Sequence, residues 1–191
     1  GESDDWIAVE KPAGVGMREY PWDVGIPEMD TGLNKQLQAG KPELVKRGAS
    51  LFGSAYYLDP AISGVALFAK NRDAVAALRN RVGSAELRYR FFFVTPAKAV
   101  NATNEIVADA PLLPHNTKPK MIPSTAKGKK AATTFRLLSE SKLGWALWEA
   151  TSSFLRPHQV RAHAAIHELS ILGDALYGGP EAPLLSELLP N

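Results

Sequence analysis

The order of apolar and polar positions divides the chain into strand-like and helix-like stretches. Ile7–Val9 is a short apolar run closed by the turn residues KPAG and reads as a strand. GVALFAK, Gly64 to Lys70, is a continuous apolar run between turn residues, and it predicts a buried strand. Asn71 then stands where a helix cap belongs. In RDAVAALRNRV behind it, Ala74, Leu78 and Val82 share one face, and Gly83 is the expected stop. LRYRFFFV predicts a strand ended by Pro96; TTFRLLSE and WALWEATS predict two more, around a turn at Lys142–Gly144. Pro157 suits the first turn of a helix through HQVRAHAAIHEL. Residues 15–50 are irregular apart from a helix near Leu33–Gln38. Strands outnumber helices, so the class is mixed α+β. With no internal repeat and no linker, residues 1–191 are expected to form a single domain of two lobes sharing one sheet.

Composition sets bounds on this picture. Hydrophobic residues make up 45% and charged residues 22% of the 191, enough apolar surface for a core. No run reaches the ~18 apolar residues of a membrane span. The absence of cysteine removes disulfide and thiolate-metal chemistry and fits a reducing compartment, so a cytoplasmic protein is expected. A net charge of +2 does not call for a polyanion, but its distribution says more. From His115 to Arg136 there are five lysines, one arginine and no acid. That stretch is either a solvated loop or a phosphate-facing arm, with Lys127, Lys129 and Lys130 at its centre.

Chemistry-bearing residues concentrate in SSFLRPHQVRAHAAIHELSILGDALYGG, which holds two arginines and three of the four histidines. His163 and His167, at i and i+4, can present two imidazoles to one metal. However, Ala164 stands where a metalloprotease would carry glutamate, and no third ligand is near, so no metal is expected. Arg161, close to a helix start, would need a carboxylate or phosphate partner if buried. Asp59, in a turn just before the Gly64 strand, is a candidate.

Taken in order, LDPAISGVALFAKN, LRPHQVRAH and ILGDALYGG resemble the RluA-type family of RNA pseudouridine synthases. That family carries H-R-L-D-x-x-T-S-G before an apolar strand and A-K-N, then K-x-Y, G-R-x-H-Q-[IL]-R-x-H and P-I-x-G-D-x-x-Y-G. IAVEKPAGVGM resembles the family's opening strand and Lys-Pro-x-Gly turn, and AKGKKAATTF its G-K-x-A-x-T stretch. The resemblance runs from about Ile7 to Gly179, with the family's C-terminal strand expected to be short or absent here.

The resemblance implies a mainly antiparallel, mixed α+β catalytic fold with two lobes around a central cleft. It also implies a reaction on RNA: the C1′–N1 bond of a uridine breaks, the base turns, and C1′ joins C5, with no cofactor and no metal. Asp59 matches the catalytic aspartate, which either attacks C1′ or removes a sugar proton. Tyr89 in LRYRF matches the tyrosine that packs on the uracil, and Arg161 the arginine that pairs with the aspartate. Arg88, Arg156, His158, Gln159, Lys127, Lys129 and Lys130 are the expected RNA contacts, on a monomer acting on ribosomal or transfer RNA.

Several positions depart from the pattern. Tyr56-Tyr57 replaces His-Arg, Ile62 replaces the threonine, Leu87 the lysine of K-x-Y, and Leu155 the glycine before Arg156. Two readings therefore stand: an active synthase with an altered substrate, or an RNA-binding relative without catalysis.

Overall fold

In the computed structural model, Trp6–Lys11 forms β1 and Gly64–Ala69 forms β2. They pair antiparallel, with Ile7 opposite Phe68 and Val9 opposite Ala66. Residues 1–97 and 104–183 are described. Alternation along β2 buries Ala66 and Phe68 completely and leaves Val65 75% exposed. The GVALFAK run is therefore open on one face at its start, at Val65, and buried on both faces at its end, where Ala69 is covered and bridges to Gly53.

The helix α3, Arg72–Gly83, is capped as its sequence predicts. Asn71 is extended, and its side-chain oxygen accepts the Ala74 N–H at 2.8 Å. Ala74 and Leu78 are buried, while the cap past Gly83 is Ser84, followed by Ala85 in the left-handed region. The irregular region holds two helices, α1 (Met29–Gln38) and the short α2 (Pro42–Val45). The first begins four residues earlier than its pattern suggests. Asn34 ties α1 to the chain at Phe52, donating to the Phe52 carbonyl and accepting its N–H at 2.7 and 2.9 Å. These elements belong to the first of two compact units, Gly1–Leu87.

The second unit, Arg88–Asn191, carries β3 (Tyr89–Pro96), β4 (Glu105–Ala108), β5 (Leu112–Pro114), β6 (Met121–Pro123), β7 (Thr133–Glu140), β8 (Trp145–Ser152) and the helix α4 (Gln159–Ile166). Its main sheet is antiparallel, in the order β3-β8-β7-β4, and β5 and β6 form a separate ribbon. The expectation of one shared sheet is thus corrected: the described strands form three sheets. On one face of the main sheet, Phe93, Phe135, Trp148 and Ala150 pack with Val160 and Ala164 of α4 and with Leu169. Phe93 and Phe135 meet edge to face, 5.7 Å apart, and the Trp148 indole N–H reaches the Thr95 hydroxyl at 3.1 Å inside this core.

Helix α4 starts after His158, whose φ of 52° lies in the left-handed region, and not at Pro157. It ends at His167, before Glu168, which is left-handed as well. Among the described residues no helix is long and apolar enough to cross a membrane. Residues 184–191, where the shortened C-terminal strand is expected, lie outside the described residues.

Candidate active site

Asp59 sits in a tight turn of the first unit and is buried. Its backbone carbonyl accepts the Ile62 N–H at 3.0 Å, closing the turn ahead of β2. The KPAG turn after β1 holds this loop. Gly14, at φ 82°, turns its N–H onto the Pro60 carbonyl at 2.8 Å, a backbone conformation that a residue with a Cβ adopts at a cost.

Lys11 lies beneath the same loop, fully buried. Its ammonium donates to the Pro12 and Pro60 carbonyls, both at 3.2 Å, and to the Ile62 carbonyl. A buried ammonium is tolerated only when its N–H groups are used, and here they hold the turn that carries Asp59. Burial keeps the Lys11 pKa below the ordinary lysine value, while the Asp59 and Asp23 carboxylates pull it back up. A fixed cation near Asp59 favours the ionised carboxylate.

The two tyrosines in place of the family's His-Arg are both engaged. The Tyr56 hydroxyl accepts the Leu67 N–H at 2.7 Å and so anchors to β2. The Tyr57 side chain is buried, and its hydroxyl donates to Asp23 at 2.5 Å. Burial, the bond to Asp23 and the Asp59 charge together push the Tyr57 phenol far above its usual range.

In the second unit, Tyr89 opens β3 opposite Ser152 of β8 and is buried. Arg161, on α4, meets Asp174 in a two-pronged contact: Nε donates to Oδ2 at 2.7 Å and Nη2 to Oδ1 at 2.6 Å. The guanidinium also lies over the Tyr177 ring, 5.1 Å from its centroid. The Gly-Asp-x-x-Tyr-Gly motif thereby acquires a role: it supplies the carboxylate and the aromatic face that orient Arg161. The Tyr177 hydroxyl accepts the Met121 N–H at 2.7 Å and lies 3.2 Å from His158 Nδ1, which fixes the ring.

The expected RNA contacts divide into two groups. Arg88, Lys127, Lys129 and Lys130 are exposed, and Arg156 Nε reaches the Lys130 carbonyl at 3.3 Å, so Arg156 and the lysine stretch lie together. Gly128 sets the path of that stretch: a Cβ there would fall 2.3 Å from the Ser124 carbonyl oxygen. Gln159 and His158 are placed differently, both buried within the second unit. Gln159 is buried, donating to the Ala132 carbonyl at 2.8 Å and to the Thr133 and Ser152 hydroxyls. Its Oε1 accepts the Arg156 N–H at 2.9 Å, so it braces the entry to α4. His158 is buried against Tyr177.

The His163–His167 pair is not arranged as a metal site. His163 is fully buried, with Nδ1 2.9 Å from the Thr133 hydroxyl and Nε2 2.9 Å from the Ala110 carbonyl. Both nitrogens are committed to protein partners. Lys11, Asp23, Asp174 and Tyr177 escaped the reading of the sequence. The opening Lys-Pro-x-Gly turn and the Gly-Asp-x-x-Tyr-Gly motif were the available signals for all of them but Asp23.

Comparison with known proteins bears on the whole arrangement. The family model described as RNA pseudouridylate synthase matches residues 5–166, taking in Asp59, Tyr89 and Arg161. The chain belongs to this family. Among its relatives, ribosomal large subunit pseudouridine synthase C of Rickettsia conorii is 28% identical over 93% of this chain and 55% of that protein. Ribosomal large subunit pseudouridine synthase D of Xanthomonas campestris is 29% identical over 93% of this chain and 50% of that protein. The chain thus spans about half the length of the curated relatives it matches. The solved structure of human RNA pseudouridylate synthase domain containing 4 superposes with a TM-score of 0.69 at 18% identity, over 98% of this chain and 73% of that one. The fold is that of the pseudouridylate synthases.

Proposed function

We propose that this pseudouridylate synthase family member isomerises a uridine of ribosomal RNA to pseudouridine, with Asp59 as the catalytic carboxylate. The two units are the halves of one catalytic domain acting in the cytoplasm as a monomer. The C1′–N1 bond breaks, the uracil turns, and C1′ joins C5. C5 gives up a proton and N1 gains one, so the product is an isomer of the substrate. Positive charge grows on the sugar as the glycosidic bond opens, and a carboxylate beside C1′ stabilises it. By the motifs they occupy, Tyr89 is the candidate for the ring on which the base rests, and Arg161 the candidate catalytic arginine.

The observation that carries this reading is the construction around Asp59: a buried carboxylate on a turn clamped by Gly14 and Lys11. A turn aspartate with no reaction to perform has no use for a buried ammonium under its loop, since burying one is costly. The names of the Rickettsia and Xanthomonas relatives support ribosomal RNA as the substrate. The second reading, an RNA binder without catalysis, draws on the loss of cations at Tyr57 and Leu87. Mapping pseudouridine in ribosomal RNA from cells with and without this gene separates them. A site that vanishes with the gene supports the enzyme; identical maps support the binder.

A further inference from the structure

The first unit carries an aromatic cluster that the proposed reaction leaves unused. Tyr57, two residues before Asp59, packs its ring on Tyr20 with centroids 4.6 Å apart and a tilt of 39°. Trp22 sets its edge on Tyr20 at 5.3 Å and 80°. Tyr57 is buried, but Tyr20 and Trp22 are half-buried, next to the exposed Pro21 and Val24. The Tyr57–Asp23 bond pins the loop that bears them. Because Tyr57 stacks on Tyr20 and stands two residues before Asp59, the cluster and the carboxylate share one neighbourhood, and the Asp59 charge joins burial and Asp23 in raising the Tyr20 phenol above its usual range.

We propose that Tyr20 and Trp22 form a stacking platform for a nucleobase of the RNA substrate close to the target uridine, in place of the cation missing at Tyr57. The chemistry favours this occupant. A cation beside a catalytic carboxylate would hold RNA through its phosphates. An aromatic ring holds it through a base face, which every nucleotide offers, at ~1–3 kcal/mol per stacked base. Extracting a base from its helix or loop costs a few kcal/mol, and a neighbouring base stacked on protein offsets part of that cost. Asp23 is then a positioning residue: it carries the wrong charge to meet a phosphate, and its partner is the Tyr57 hydroxyl.

The inference rests on the proposed reaction, and its test keeps the two apart. The probe is large-subunit ribosomal RNA transcribed in vitro, and therefore free of pseudouridine. Affinity is measured over a salt series and product formation at saturation, for wild type, Trp22→Ala and Trp22→Phe. Trp22→Ala is expected to weaken binding roughly 5- to 150-fold, the equivalent of one lost stack. The salt slope should stay unchanged, because no phosphate contact is lost, and Trp22→Phe should recover most of the affinity. If wild type makes product and Trp22→Ala binds within twofold of it, the platform is wrong and the reaction stands. A Trp22→Ala defect that comes with a shallower salt slope also overturns the platform. A wild type that neither binds nor modifies this RNA overturns both.

Discussion

Arg161 and Asp174 are joined by two parallel hydrogen bonds of 2.7 and 2.6 Å across thirteen residues of sequence. Both side chains are largely withdrawn from water, at 15% and 7% exposure. Breaking a pair this buried by removing one partner is strongly destabilising, by about 3 kcal/mol or more. Asp174→Asn should therefore lower unfolding stability by about 3 kcal/mol in chemical denaturation. It should also cut pseudouridine formation at least tenfold with RNA affinity nearly intact. Stability within 0.5 kcal/mol of wild type, roughly the spread of surface substitutions, would mean the fork does not fix Arg161.

Lys11→Met keeps the stem and removes the ammonium. The Pro12, Pro60 and Ile62 carbonyls then lose a donor, and Asp59 loses a nearby cation. The expected outcome is a fall in kcat with little change in KM, because the carboxylate is misplaced while the RNA surface is untouched. Equal kcat in the folded variant would reduce Lys11 to a packing residue.

Acid sensitivity should trace in part to His163. Burial, the largest cause, holds its pKa below the ordinary value of 6.5, against an opposing pull from the Ala110 carbonyl and Asp109; His167 adds to the lowering. As pH falls below 6.5 the unfolded chain takes up a proton that the folded ring resists. The unfolded state then binds more protons, so stability drops with pH until the depressed folded pKa is passed. His163→Gln should flatten the stability–pH curve in this window relative to wild type. Parallel curves would show that the ring's burial has no titration consequence.

Much of the fold could be read in advance, and the physical reasons for the rest are specific. β2, α3, β3, β7 and β8 are long or strongly patterned, and Asn71 is a cap that announces itself. β5 and β6 are three residues each and end in proline, which gives period-two alternation no room to show. Of the candidate site, Asp59, Tyr89 and Arg161 could be named as candidates because each sits in a motif. Gln159 shows what a motif position leaves out: its burial and its bond to the Arg156 N–H are matters of tertiary packing. The ties from Lys11 to the Asp59 loop and from Tyr57 to Asp23 cross 34 to 51 residues of sequence, so no local spacing marks them.

The lysine stretch makes a separate electrostatic prediction. Lys127, Lys129 and Lys130 are exposed, and Arg156 contacts the Lys130 backbone. Replacing all three lysines with glutamine should reduce the salt slope of RNA binding by roughly 2 to 3, at ~0.7–0.9 per phosphate contact. An unchanged slope would return the stretch to a solvated loop.

The central claim is that Asp59 carries the chemistry, and Asp59→Asn tests it most directly. The amide keeps the shape of the side chain but cannot bear the negative charge needed at C1′. Pseudouridine formed by wild type and variant on in vitro transcribed large-subunit ribosomal RNA is the quantity to measure, with thermal unfolding confirming that both are folded. The account predicts product from wild type and none from Asp59→Asn. Turnover by the variant within about tenfold of wild type, a loss of only ~1.4 kcal/mol in transition-state stabilisation, would contradict it.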